Sequence, residues 1–478
     1  MHHSTKHHQE AASRWLLPVL LVAQLMVILD ITAVNIALPH IARDLQLSGA
    51  SISWTITSYS LIFGSLLLFG GRAADLLGRR RMFVTGLGVF TVSSFASALA
   101  GSAAALFAAR AGQGLGAAML SPAALSIATS AFHGPQRAKA LAAWGAVGGA
   151  GAAIGVLVGG VLTEFADWRT IFYVNLPVAA LLLVAALKVV PADAAKPRVR
   201  GLDLPGAALA TASLASIVYA ITQAESAGWT SVQTHVLGIG GLAGLAAFAI
   251  YERRIDAPLL RVDRIADRGV GGGLILMLAA AGSIFGLFLL SSLYLQNVLG
   301  WGALATGLAF IPLALSAGLG AHGAGHLVAK HGVRGPLASA FAIAAAGMLL
   351  LSRVGEHGTY VRDVLPGMLV AGLGLGVAVV TVSMAVLVGA RPEEAGMMSG
   401  LSSTGHEIGG TLGIAVFSAI AAGSGAIFGP HVASGISDGF LVGALLATLA
   451  SVVAYAVLPH AQHFLTKLHL SPHAMPIH

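Results

Sequence analysis

The chain has 478 residues, of which 56% are hydrophobic and only 9% charged. Soluble domains carry about 25% charged residues, so a water-facing surface of this size is excluded, and with it a chain of two or three soluble domains. The formal net charge of +7 would point to nucleic acid in a soluble protein; in a membrane protein the bias of basic residues toward cytoplasmic loops is the simpler source, and no nucleic-acid partner is expected.

The apolar residues fall in blocks of roughly 20, the length a helix needs to cross a hydrocarbon core of about 30 Å. The expectation is therefore an all-α integral membrane protein. The 61 glycines let backbones approach closely, which suits packed helical bundles in lipid. No cysteine is present, so disulfides are excluded. The first apolar run is long and lacks a small-x-small exit, so it reads as a retained helix rather than a cleaved signal.

Fourteen spans are predicted, at roughly 15–38, 51–71, 82–101, 104–130, 139–163, 170–190, 205–223, 234–251, 269–296, 302–325, 335–352, 363–388, 400–423 and 439–458. Span one contains Asp30. An acid at a helix centre costs about 2.5–3.5 kcal/mol by insertion scales, so it needs a reason. It is either a structural acid hydrogen-bonded inside the bundle, or a proton carrier that binds a proton in one conformation and releases it in the other. Arg110 on span four is its expected partner, because an Arg well inside a span normally faces an acid or a cavity. Gln24 on span one, Trp54 and Tyr59 on span two and Gln113 on span four join Asp30 as candidate substrate contacts, although amphipathic aromatics also mark the membrane interface.

Span two ends in "GRAADLLGRRRMF" (Gly71–Phe83). Gly71 and Gly78 permit tight turns, and Asp75 can pair with the basic run, Arg79 and Arg80 included, or meet the positive N-terminal end of a helix in the other half. This loop is a candidate gate, whose pairs form in one state and break in the other; the basic run also enforces orientation. On span five, Gly151, Gly155, Gly159 and Gly160 read as a close-packing surface on which two halves rock. The loop at 253–268 reads as a solvated connection.

"GHLVAKHGVR" (Gly325–Arg334) after span ten echoes the loop after span two, with glycines at the same spacing and a basic residue following. If spans seven and eight are an insert, the chain divides into a tail at 1–14, a six-helix half at 15–190, a linker with two inserted helices at 191–268, a second six-helix half at 269–458 and a tail at 459–478. On span thirteen, His406 and Glu407 form a second intramembrane cluster. Adjacent residues point about 100° apart on a helix, so one faces the cavity less squarely than the other. Either one faces a water-filled crevice, or the pair is a second proton site with His406 as relay.

The basic residues divide by side. The loops after even-numbered spans carry most of them, including Arg79, Arg80, Arg81, Arg137, Lys139, Arg253, Arg254, Lys330 and Arg334, whereas Arg43, Arg169, Arg353 and Arg362 lie on the other side. Both termini are therefore expected in the cytoplasm. The histidines of the tails, among them His2, His3, His469 and His473, match no metal-site spacing and are expected in solvated tails of no fixed structure. No cofactor or metal is expected. No nucleotide-binding P-loop is present, and no nucleophile, base and orienting group are set out as an enzyme needs.

The chain resembles the fourteen-span drug:proton antiporter branch of the major facilitator superfamily. The resemblance rests on "LDITAVNIALPHIARDL" (Leu29–Leu45), the Gly71–Phe83 loop, "RAGQGLGAAML" (Arg110–Leu120), "DWRTIFYVNLPV" (Asp167–Val178) and "GHEIGGTLGIAV" (Gly405–Val416). Two positions depart from that pattern. Val156 stands where the fifth-helix motif has proline, and His406–Glu407 stands where relatives often carry a basic residue. The resemblance implies a proton-coupled exporter of small lipophilic compounds, cationic ones included, working as a monomer in the cytoplasmic membrane by alternating access. A cargo such as one endogenous metabolite, siderophore or lipid precursor is the alternative, and a channel or non-transporting sensor is a further one.

Overall fold

The computed structural model describes residues 2–47, 49–132, 134–193, 202–256, 258–265, 267–387, 395–423 and 432–458. Side chains at 2–14 are not described, and the predicted C-terminal tail at 459–478 lies outside the described residues. Within these residues all regular structure is helical. In lipid every backbone N–H and C=O must be satisfied within the segment, and a helix does so by itself.

In chain order the helices are α1 (His2–Asp44), α2 (Trp54–Leu77), α3 (Arg79–Ala98), α4 (Ala103–Ala131), α5 (Gly134–Phe165), α6 (Thr170–Val189), α7 (Leu204–Ala227) and α8 (Val232–Glu252). There follow α9 (Val262–Ile265), α10 (Arg268–Leu293), α11 (Ala303–Ala309), α12 (Ile311–His331), α13 (Arg334–Leu351), α14 (Leu365–Leu387), α15 (Ala395–Gly423) and α16 (Val432–Val457). Several starts carry side-chain caps. Ser102 accepts from Ala105 N, Ser231 from Thr234 N and Asp267 from Gly269 N, each satisfying a donor the helix cannot. Pro312 in the first turn of α12 has no N–H to give, which accounts for the break that separates α11 from α12. The N-terminal stretch expected to have no fixed structure instead continues α1 as helix from His2; it has neither Pro nor Gly before Pro18 to stop it.

Twelve of these helical spans are long and apolar enough to cross a membrane. Fourteen were predicted. The other two predicted spans coincide with α3 and α5. α3 opens on Arg79, Arg80 and Arg81 and carries several serines; in α5 the apolar stretch with described side chains is Ala153–Phe165.

The helices pack in a repeated pattern. α1 lies against α4, α5 and α6, α2 against α4, and α3 against α4 and α6. Later in the chain α10 lies against α14, α15 and α16, α12 against α14, and α13 against α14 and α16. The second set reproduces the first helix for helix when α11 and α12 are taken as one. The echo between the two glycine-basic loops thus marks a duplicated six-helix unit. The units meet where α2 packs on α15 and α5 on α11 and α12, and the α7–α8 hairpin leans on α2 and α15.

Among the described residues the bundle is closed at one end. Opposite the basic loops, one apolar cluster joins both units; it includes Ile36, Ile41, Trp168, Leu293, Phe310 and Phe417. At the basic end the apolar residues form two separate clusters. One contains Leu20, Phe83 and Leu182, the other Leu276, Phe341 and Val382. Glycines permit the closure. A Cβ on Gly160 would come within 2.8 Å of Ala303 O, and one on Gly307 within 2.9 Å of Val156 O. Across the same end Gln296 Nε2 donates to Ile36 O at 3.0 Å.

Candidate functional site

Asp30 and Arg110 meet. Arg110 Nη1 donates to Asp30 Oδ2, and both side chains are wholly shielded from solvent. Burying two charges costs several kcal/mol per ion, which only good hydrogen bonding offsets. The carboxylate has it. Asp30 Oδ1 accepts from Gln113 Nε2 and from Asn175 Nδ2, each at 2.9 Å. Arg110 Nε donates to Thr55 O at 3.1 Å, and Nη1 also reaches Gln113 Oε1 at 3.0 Å. Ser97 Oγ donates to Gln113 Oε1 and Asn175 Nδ2 to Ser94 Oγ. One buried network therefore ties α1, α2, α3, α4 and α6 around a single ion pair.

Tyr59 completes it. The guanidinium carbon of Arg110 lies 4.4 Å from the centre of the Tyr59 ring, a distance at which the ring face attracts a cation. The Tyr59 hydroxyl is buried without a hydrogen-bond partner.

Glu407 faces α2. A Cβ on Gly64 would lie 2.8 Å from Glu407 Cβ, so the acid sits on the seam between the units. Its Oε2 is buried and has no hydrogen-bond partner. Thr411, one turn on, hydrogen-bonds Ser60 Oγ at 2.9 Å and fixes the register of the seam. His406 points elsewhere, edge-on to Phe285 with ring centres 5.8 Å apart. The two residues thus diverge as their adjacency requires.

The other expected contacts are dispersed. Gln24 Oε1 accepts from Ser121 Oγ at 2.7 Å. Trp54 packs against Tyr219 of α7, ring centres 6.1 Å apart, on the inserted hairpin rather than beside Asp30. Gly151, Gly155 and Gly159 pack on Leu25, Ile28, Leu29, Thr32 and Ala33 of α1, within one unit, and Gly160 alone of the four touches the other. The glycine surface is therefore mostly an internal seam.

The loop after α2 is anchored inside its own unit. Asp75 pairs with Arg79 at 3.3 Å. Asp193, beyond α6, accepts from Arg80 N at 3.1 Å and Arg81 N at 3.0 Å, and Arg80 Nη2 donates to Leu187 O at 2.7 Å. Asp193 is thus the N-terminal cap of α3, where an anion meets the positive end of the helix. Gly78 makes room for it. Its φ is +112°, and a Cβ there would strike the Asp193 carboxylate. Gly71 lies 3.7 Å, measured from its built Cβ, from Pro122 of α4. We predict that Asp193→Ala lowers stability by about 0.5–2 kcal/mol, the usual worth of a cap. An unchanged melting temperature in detergent would reject the cap.

Sequence reading missed Asn175, Ser94, Ser97 and Thr55. Asn175 stood in plain view within "DWRTIFYVNLPV", a carboxamide in an apolar run, but nothing along the chain tells which helix it faces. A cavity of about 310 Å³ lies at the closed end, lined by His40, Arg43, Thr163, Glu164, Gln296 and Trp301 among others, and shares no residue with the Asp30 network.

Residues 20–414 match the model of the Major Facilitator Superfamily. The chain is 42% identical to the puromycin resistance protein pur8 of Streptomyces alboniger over 419 residues, 87% of this chain and 83% of that one. It is 39% identical to the cephamycin export protein CmcT of Amycolatopsis lactamdurans over 443 residues, 91% of this chain and 90% of that one. Among solved structures it superposes on a bacterial homologue of the human lysosomal transporter Spinster, in an inward-facing and unoccupied conformation, with a TM-score of 0.65 at 16% identity over 95% of this chain and 98% of that one. The likeness to that structure is one of fold. By the family match and by these relatives, the chain belongs to the Major Facilitator Superfamily.

Proposed function

We propose that this multi-pass transporter exports small lipophilic molecules, cations among them, across the cytoplasmic membrane in exchange for protons. One relative is named for the export of cephamycin and another for resistance to puromycin, and both names suit an exporter. The basic loops support an orientation with both termini in the cytoplasm. The working units are the halves at 15–190 and 269–458, acting as a monomer, with 191–268 as the inserted segment.

The Asp30–Arg110 pair carries the reading. As a carboxylate, Asp30 neutralises Arg110 and holds α1 to α4 and α6. A proton on Asp30 removes that counter-charge in a site without water. Leaving one partner of a buried pair alone costs about 3–5 kcal/mol. Reversing a two-state equilibrium from 1:99 to 99:1 takes about 5.5 kcal/mol, so one proton supplies most of what a switch requires. Arg110 keeps Thr55 O, Gln113 Oε1 and the Tyr59 face while Asp30 is released. Glu407 offers a buried, unpartnered oxygen on the seam between the units, where a cationic substrate would find a carboxylate.

Under this orientation the closed end is the outer one, and the units part toward the cytoplasm. Substrate is taken up from inside, the units rock, and a proton moving inward restores them. One charge crossing 100 mV yields about 2.3 kcal/mol. The test is purified protein in proteoliposomes under an imposed pH gradient, with a panel of lipophilic cations and neutral antibiotics. Uphill movement that a protonophore abolishes is expected. Movement that only ever runs downhill would make the protein a channel and end the proposal.

A further inference from the structure

The inserted hairpin has an unusual foot. Asp203 caps α7, its Oδ1 accepting from Gly206 N at 2.9 Å and from the Tyr251 hydroxyl at 3.1 Å. Glu252 ends α8, its Oε2 accepting from Leu260 N at 3.0 Å. Both residues are buried, with 5% and 2% of their surface exposed. Each keeps one oxygen, Asp203 Oδ2 and Glu252 Oε1, that is buried and has no partner. These two oxygens converge. A Cβ on Gly206 would run into Asp203 Oδ2 and lie 2.8 Å from Glu252 Oε1, so both free oxygens border the same spot.

Two ionised carboxylates cannot share such a place. They repel, and neither free oxygen finds a donor. Among the described residues no ion pair to a cation relieves either acid. Tyr251 from α8 and the amides of Gly206 and Leu260 serve the other two oxygens. Arg253 and Arg254, next in sequence, are exposed and form no ion pair with either acid among the described residues. A single proton between the two oxygens satisfies both, as one carboxyl donates to the other.

We propose that Asp203 and Glu252 hold one proton between them, making the foot of the inserted hairpin a proton-binding site separate from Asp30. With the proton the start of α7 is stapled to the end of α8; without it the two charges push the foot apart. The hairpin in turn rests on the seam between the units. Thr211 Oγ1 donates to Ser65 Oγ of α2 at 3.1 Å, and Leu214 and Val218 pack with Leu61 of α2 and Ala415 of α15. The proton therefore adjusts how firmly that seam is held, from the end of the bundle that carries the basic loops. The inference does not rest on proton-driven export.

The full chain in nanodiscs tests it. No native cysteine interferes, so spin labels go on Leu204→Cys and Ile250→Cys, both exposed positions flanking the acids. We expect a narrow label distance at low pH that broadens as pH rises, alongside loss of an infrared carboxylic-acid C=O band. Asp203→Asn and Glu252→Gln each replace the shared proton by an amide N–H, and Asn keeps the α7 cap. Each is expected to lose the titrating band and to hold the distance narrow at every pH, while Asp30→Asn keeps both responses. The proposal is overturned if the parent shows neither response, or if Asp203→Asn and Glu252→Gln respond as the parent does. It is equally overturned if EDTA broadens the distance at constant low pH, which would assign the site to a divalent cation.

Discussion

Asp30→Asn is expected to abolish pH-driven uphill transport while substrate exchange without a gradient survives. Asparagine has nearly the shape of the protonated acid and cannot release a proton, so the units can still rock but no longer in step with the pH gradient. The structural cost is large and calculable in kind. Arg110 stays charged and buried, and losing the partner of a buried pair costs about 3–5 kcal/mol, a substantial part of the roughly 5–15 kcal/mol that stabilises a typical protein. A loss of activity alone would therefore be ambiguous. The double variant Asp30→Asn, Arg110→Gln separates the two effects. It removes the stranded charge, so thermal stability should recover in large part, whereas gradient-driven transport should remain absent. Full coupling in Asp30→Asn, measured in proteoliposomes, would reduce the ion pair to a structural fastening.

The ion pair was legible in the sequence because a charge in an apolar run has so few permissible fates. Asp30 and Arg110 needed each other, and the family fold that the motifs imply sets helices one and four side by side. Asn175 carried no such compulsion. An amide in a membrane helix costs less than a charge, and its role depends on which way α6 is turned. The gate loop shows the same division. Gly71–Phe83 was recognisable as a motif, yet the acid that caps α3 is Asp193, 113 positions from Arg80. Periodicity counts residues along one helix and says nothing of the helix opposite. That is also why the span-five glycines were assigned to the rocking interface when three of the four face α1. The hairpin acids escaped notice because each, 49 positions apart in number, looked like an ordinary residue near a membrane surface.

Gly160→Val is expected to break the closed end and with it the transport cycle. The α5–α11 contact is backbone against backbone. Cβ atoms at Gly160 and Gly307 would stand 2.8 Å from Ala303 O and 2.9 Å from Val156 O, and a carbonyl in a helix cannot turn aside as a flexible side chain does. Overpacking costs about 1–3 kcal/mol even in cores that can adjust. Here both units must separate to make room, so the strain falls selectively on the conformation in which this end is shut. A conformation favoured by only a few kcal/mol loses its majority under that load. The absence of native cysteine makes the shift readable. Ser292, whose hydroxyl lies 3.4 Å from Asn35 O across the closure, becomes a reporter as Ser292→Cys. A membrane-impermeant thiol reagent should reach it slowly in the parent and markedly faster with Gly160→Val or Gly307→Val. Gly318→Ala, at a position with nothing within 4 Å of its Cβ, should leave the rate unchanged. Were the two crowded variants labelled no faster than this control, closure would have to be held by the apolar cluster and the Gln296 bond alone, and the close approach of α5 and α11 would lose its place in the cycle.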